Sequence, residues 1–321
     1  MCATSKEGVK RYGMRLSAKR AGWVTLPLPM AAVGTTAWHY TDAAGLIGMI
    51  SNEELWASCP SSLNDSTEIS HGVAQLKHSW MEVSSHVESH VRNFVEAILD
   101  DNLVSKISEK AFVLCASADG DSHSMWQEFG ARGRGYSVGI NVDHDFAIRL
   151  SRKKAIQPAL IVNGAVPGWY PVRYEPQAQI EMMRSVLVFT SEVAEMVHTY
   201  GDSGTARNAA FACIATAVLT SKRREFNVNS EVRWISTKPD GSEVERFRDG
   251  GLRIVPFLPL CGSQESSHSV EPTSPKPLPI VSVVCGPTTE LQTAEDGVER
   301  LLRRHGYSNV AVSRSLASYR H

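Results

Sequence analysis

Strong charge of one sign is missing. The 321 residues carry 33 Lys and Arg against 34 Asp and Glu, a formal net charge of −1, so no whole-molecule field draws in nucleic acid or an anionic membrane. Short basic clusters such as Lys222-Arg223-Arg224 and Arg303-Arg304 read as solvated faces. The 6 cysteines (Cys2, Cys59, Cys115, Cys213, Cys261, Cys285) include no Cys-x-x-Cys pair, which argues against a disulfide framework or a zinc site and for a reducing compartment. Cys115 and Cys285 lie in apolar runs and read as buried thiols. No apolar core follows the first basic residues before Trp23, so no secretion signal is expected. The apolar runs at 209–219 and 278–285 are too short to span a bilayer, and a cytoplasmic chain without membrane attachment is expected. No Gly-x-Gly-x-x-Gly follows a strand and no Gly-x-x-x-x-Gly-Lys-Ser/Thr occurs, which leaves both common nucleotide fingerprints absent.

The periodicity that is present alternates between strand and helix without a regular repeat. Residues 1–34 show no clear period and are read as an arm; 35–321 are read as one α+β domain. Strands are expected at 36–40, 54–58, 111–117, 136–141, 166–174, 231–236, 252–260, 280–285 and 310–313. Helices are expected at 43–50 with Asp42 as cap, over 68–107, and at 122–129, 176–200, 205–220 and 293–305. The stretch 262–277, rich in Ser and Pro, reads as a mobile insertion. The expected fold is a mixed sheet with flanking helices.

Single residues say little alone. His39, between Trp38 and Tyr40, reads as a core-edge histidine bonded to a backbone group. Asn64-Asp65 with Glu68 reads as a turn leading into a helix, with Asp65 or Ser66 as cap. Trp126 on a short helix reads as core. Alternation puts Glu231, Arg233 and Ile235 on one strand face, where an acid and a base read as an exposed ion-pairing row of small worth. His86 and His90 share a helix face with no third metal ligand at a marked spacing.

Taken in order, these signals form a pattern. Trp38-His39-Tyr40-Thr41, a helix to Ile50, Leu55-Trp56-Ala57-Ser58, then Asn64-Asp65 and Glu68 are followed by Ser117, Met125-Trp126 and Gly135-Tyr136-Ser137-Val138-Gly139-Ile140. Val172-Arg173-Tyr174, Lys222, Phe226, Glu231-Val232-Arg233, Arg248, Gly251, Pro256-Phe257, Pro279-Ile280, Gly286-Pro287, Gly306-Tyr307 and Ser315 to Tyr319-Arg320 complete it. From Trp38 to Arg320 the chain resembles the bacterial family catalogued as domain of unknown function 2971. It departs at Phe129, where that family tends to have Tyr, and in the 262–277 insertion.

The opening also resembles ADP-ribosyltransferases with a His-Tyr-Glu type signature, including toxins that modify DNA. That resemblance implies an ADP-ribosyltransferase-like fold and NAD as substrate. It implies that His39 contacts the ribose next to nicotinamide, Tyr40 stacks on the nicotinamide ring, and Glu231 stabilises the cationic sugar as nicotinamide leaves. Thr41, Asn64, Asp65, Glu68, Ser117, Trp126, Arg233 and Arg248 would complete the nucleotide site, with Arg233 or Arg248 neutralising the pyrophosphate. The chemistry suits these residue types: a fixed carboxylate stabilises an oxocarbenium-like carbon, and an aromatic wall holds the leaving ring. A histidine donating to ribose orients the sugar.

Three functions follow as expectations. The first is an ADP-ribosyltransferase acting on a protein, nucleic acid or small molecule, in bacterial stress or phage defence. The second is a non-catalytic nucleotide-sensing or interaction module of the same fold. The third is a metal-dependent hydrolase or nuclease using Asp65 and Glu68.

Overall fold

Local sequence explains where the first elements begin and end. In the computed structural model, β1 (Thr36–Thr41) runs into Asp42, whose carboxylate accepts from Gly45 N at 2.7 Å and caps α1 (Ala43–Asn52). Glu53 in the left-handed conformation closes α1 and turns the chain into β2 (Leu55–Ser58). The structure describes residues 34–63, 67–156, 167–201, 204–225, 230–238, 243–263, 273–287 and 291–317. The expected arm, apart from Gly34, and the middle of the expected insertion, 264–272, lie outside these.

The stretch expected to be helical over 68–107 forms three helices: α2 (Glu68–Val83), α3 (Ser89–Ile98) and α4 (Leu103–Lys110). Thr67 precedes the first turn of α2, and the expected caps, Asp65 and Ser66, lie outside the described residues. β3 (Ala111–Ser117), α5 (His123–Glu128), β4 (Tyr136–Asn141), β5 (Phe146–Arg149), β6 (Ala155–Ile156) and β7 (Gly168–Pro171) follow. Two long helices, α6 (Pro176–Tyr200) and α7 (Gly204–Leu219), precede β8 (Glu231–Thr237). The chain continues through β9 (Arg246–Asp249), β10 (Ile254–Gly262), β11 (Ile280–Cys285), α8 (Leu291–Arg304) and β12 (Ala311–Arg314).

These strands make one mixed, largely antiparallel sheet in the order β12-β11-β4-β1-β3-β2-β10-β5-β6. β7 and β8 branch from β3, and β9 from β10; the pair β11–β12 is parallel. Each face buries its own apolar cluster. Val113, Tyr170 and Ile235 on one face meet α2, α3, α4, α6 and α7. Phe112, Leu114, Val232 and Trp234 on the other meet α1 and α8 through Leu46, Ile50, Val298 and Leu302. Residues at the end of the expected insertion are tied to the sheet: Thr273 exchanges backbone hydrogen bonds with Ala155, and Lys276 with Gly262. No helix among the described residues is long and apolar enough to cross a membrane.

The centre of this sheet is incomplete on one side. β8 pairs with β3 along its whole length, from Ala111↔Thr237 to Ser117↔Glu231. The opposite edge of β3 is shared: β1 meets it at Trp38↔Ser117 and β2 at Ser58↔Val113. Between those two pairings the edge of β3 carries no strand partner among the described residues, and a gap opens in the sheet.

Candidate functional site

The gap is a cleft of about 800 Å³. Val113, Leu114, Cys115 and Ala116 all line it. Consecutive strand residues point to opposite faces, so all four can border one space only where the strand edge itself is exposed. The end of β1 (His39, Tyr40, Thr41) and one side of α1 form one wall. β2, Ser62 and Leu63 form another, with Glu68, Lys222, Glu231, Arg233 and Arg248 around it.

His39 bridges the split. Its Nδ1 lies 3.0 Å from the carbonyl oxygen of Cys115. A carbonyl only accepts, so Nδ1 carries the proton. Burial lowers the ring's pKa and outweighs the opposite effect of that hydrogen bond. The neutral ring then leaves Nε2 as an acceptor, with no partner among the described residues. The expected donation to a sugar is therefore reversed: the one donor is spent on Cys115.

The hydroxyl of Tyr40 is equally committed. It donates to the Asp119 carbonyl and accepts from Ser122 N, both at 2.9 Å, and burial moves its pKa upward. Its ring meets Trp126 edge-on, with centroids 4.8 Å apart. Trp126 is fully buried, bonds Asp121 through Nε1 at 2.8 Å, and stands behind the cleft wall. Ser117 is also buried behind the wall, its Oγ accepting from Asp119 N at 3.1 Å. Tyr40 is 5% exposed, which leaves little of its ring for the expected stacking. The aromatics that line the cleft and remain open are Phe129, 40% exposed, and Trp56, 44% exposed and packed on Phe257 at 4.6 Å.

The acids and bases of β8 are a buried network and not the exposed row that alternation suggested. Arg233 is 1% exposed and Glu68, on the first turn of α2, 3%. Arg233 Nη1 donates to Glu68 and to Leu219 O, while Arg233 Nε donates to Glu231 Oε1 at 2.7 Å. The other oxygen of Glu231 accepts from Lys222 Nζ at 2.9 Å. Burial pushes the Glu231 carboxyl upward, but Arg233 and Lys222 outweigh it and hold the pKa at about 2. Burial also works against the charge of Arg233, yet its carboxylate partners push that group's pKa up. Two acids and two bases cancel, as a buried charge cluster must to be tolerated.

Backbone register builds this network. Cys115 lies opposite Arg233, and Ser117 opposite Glu231, so β3 carries His39's anchor and β8 the carboxylate side by side. Gly72 brings in Glu68. A Cβ at Gly72 would sit 2.7 Å from Val218 O, so only glycine lets α2 approach α7 this closely, and Glu68 lies one turn earlier on the same face.

Of the expected residues, His39, Tyr40, Thr41, Glu68, Glu231, Arg233 and Arg248 border one cleft. Asn64 and Asp65 lie outside the described residues. Glu68, the other half of the expected hydrolase site, is bonded to Arg233, and the described residues include no group of three His, Cys, Asp or Glu placed to hold a metal. Lys222 and Cys115 complete the site without having been singled out for it. Cys115 was read as a core thiol; it is half-buried on the cleft wall, and burial followed by the Glu231 charge raises its pKa.

No known family, curated protein or solved structure matches this chain.

Proposed function

We propose that the cleft takes NAD as a substrate and that the protein is an ADP-ribosyltransferase-like enzyme that cleaves the nicotinamide glycosidic bond. One observation carries the reading: His39, Tyr40 and Glu231, separated by some 190 residues of sequence, border the same cleft, whose volume of about 800 Å³ lies in the usual range for cofactor sites. In this reading Glu231 stabilises positive charge as it develops on the anomeric carbon. The bond from that carbon to nitrogen breaks with its electron pair going to the pyridinium, and nicotinamide leaves neutral. The acceptor's nucleophile bonds to the same carbon and gives up a proton. His39 Nε2 accepts from a ribose hydroxyl. Phe129, open to the cleft, takes the role of aromatic wall that Tyr40 is too buried to fill. Tyr40 instead fixes the end of β1 through Asp119 and Ser122.

A second reading, a non-catalytic nucleotide-binding module, is favoured by one feature: both oxygens of Glu231 already bond cations. Calorimetry with NAD and an assay for nicotinamide release separate the two. The enzyme reading expects wild type to bind and cleave NAD. Glu231→Gln should bind with little change and lose about 100-fold or more in turnover, because the charge acts mainly in the transition state. Binding without cleavage by wild type would leave the module reading standing. No binding at all would remove both.

A further inference from the structure

The cations of the cleft differ in what balances them. Arg233 is matched by Glu68, Glu231 and a backbone carbonyl, and Lys222 by Glu231. Arg248 on β9 has no carboxylate partner among the described residues. Its Nη2 donates to Ser58 Oγ at 3.1 Å, and its Nε is buried with no acceptor. A buried donor left unmet is unfavourable, more so when it belongs to a charged group.

The position of Arg248 is set by the hairpin. It pairs across to Val255 and shares a face with Arg246 and Phe257, while Phe247 points the other way and is 63% exposed. Arg246, on the same face, is already neutralised by Glu54 at 3.1 Å. Arg253 fastens the hairpin to the cleft rim by donating to Ser61 O at 3.1 Å and Ser62 O at 2.8 Å. The guanidinium of Arg248 is thus held by Ser58 through Nη2, and the residue lines the cleft.

Its distance from the carboxylate end follows from the register. Ser58, which holds Arg248, is level with Val113, whereas Glu231 is level with Ser117. Four residues of strand separate these levels, roughly 14 Å. The cleft therefore has a charge-balanced cluster at Glu231 and, at Arg248, a guanidinium with no carboxylate partner among the described residues. A guanidinium fork matches the oxygens of a phosphate group with parallel hydrogen bonds.

We propose that Arg248 is the anion-binding residue of the cleft and takes the phosphate groups of a nucleotide; that the sugar end of this ligand lies at His39 and Glu231 rests on the function proposed above. The test is calorimetry on the whole chain with ADP, adenosine and inorganic pyrophosphate, using wild type, Arg248→Lys and Arg248→Ala, with melting temperatures as a fold control. Wild type should bind ADP at least tenfold more tightly than adenosine, and added salt should narrow the gap. Arg248→Ala should erase the gap while adenosine binding persists, and Arg248→Lys should restore part of it. Pyrophosphate should compete with ADP on wild type only where the gap exists. ADP affinity unchanged in Arg248→Ala, or no preference for ADP in wild type, would overturn the assignment. Should Arg248→Ala fail to fold, Arg248→Lys carries the comparison, since it keeps the charge but loses the fork; undiminished ADP affinity there would count against it equally. Nicotinamide release from NAD is read in parallel. Its absence beside an intact preference for ADP would remove the transferase reading and leave the phosphate site in place.

Discussion

At His39 the Cys115 carbonyl, 3.0 Å from Nδ1, decides which nitrogen carries the proton. Which nitrogen is free then decides what a ligand must offer: a hydroxyl or amide donor, not an acceptor. Nitrogen-15 NMR of the histidines should find His39 as the Nδ1–H tautomer and still neutral as the pH passes down through 6.5, because burial lowers its pKa. An Nε2–H tautomer would sink the assignment. His39→Asn sharpens the point, since its amide can still donate to Cys115 but offers nothing at the place of Nε2. Its melting temperature should stay near that of wild type, while NAD binding weakens by about tenfold, the worth of one hydrogen bond. Equal losses of stability and binding would mean that the ring is a packing element only.

Among the elements, α2 shows how a helix supplies a charge to a strand. Gly72→Ala sets two effects against each other. Alanine gains about 1 kcal/mol of helix propensity over glycine, but its Cβ would lie 2.7 Å from the backbone oxygen of Val218, and overpacking of that kind costs about 1–3 kcal/mol. Moving α2 outward also pulls Glu68 from Arg233, whose buried charge then lacks a partner. The two effects net to a loss of up to about 2 kcal/mol, to which the weakened Glu68–Arg233 pair adds, so urea unfolding should find Gly72→Ala less stable by about 1–3 kcal/mol; a gain would mean that α2 shifts freely. Apolar periodicity made α1, β3, α6 and β8 legible in the sequence to within a residue or two. It marked 68–107 as helical but not the breaks between α2, α3 and α4, because the apolar spacing continues through them. The second break falls where Asp100 bonds Asn102 N at 3.1 Å, a local contact that competes with the helix. β9, Arg246-Phe247-Arg248-Asp249, has no apolar alternation and was missed. His39 and Glu231 were legible through the order of motifs. Lys222 stood in that order without a role and Cys115 was read as core, since their part in the site comes from register across β3 and β8 and from the chain's return after α7.

For the molecule as a whole, the Glu68–Arg233–Glu231–Lys222 cluster joins α2, the exit of α7 and β8 beneath the central gap, so its ionisation bears on how the helical layer holds the sheet. The Glu231 carboxyl is held at about 2, below its usual 4.5. The unfolded chain therefore takes up that proton first. The stabilisation is fully present above pH 4.5 and is lost as the pH falls toward 2. A difference of 4.5 − 2 = 2.5 pH units corresponds to about 3 kcal/mol. His39, whose pKa is lowered from 6.5, adds a loss that begins earlier, since unfolding lets it take up a proton as the pH drops through that value. Glu231→Gln isolates the carboxyl's part. At neutral pH the variant should be less stable than wild type by about 3–5 kcal/mol, because Arg233 and Lys222 lose a buried counter-charge. In acid the wild type loses its advantage proton by proton, so the two stability curves should converge between about pH 4.5 and pH 2. Urea unfolding of both proteins across that range reads the difference directly. Curves that stay parallel would mean that Glu231 keeps its charge in the unfolded chain as strongly as in the folded one, and that the network does not anchor the helical layer in the way its hydrogen bonds indicate.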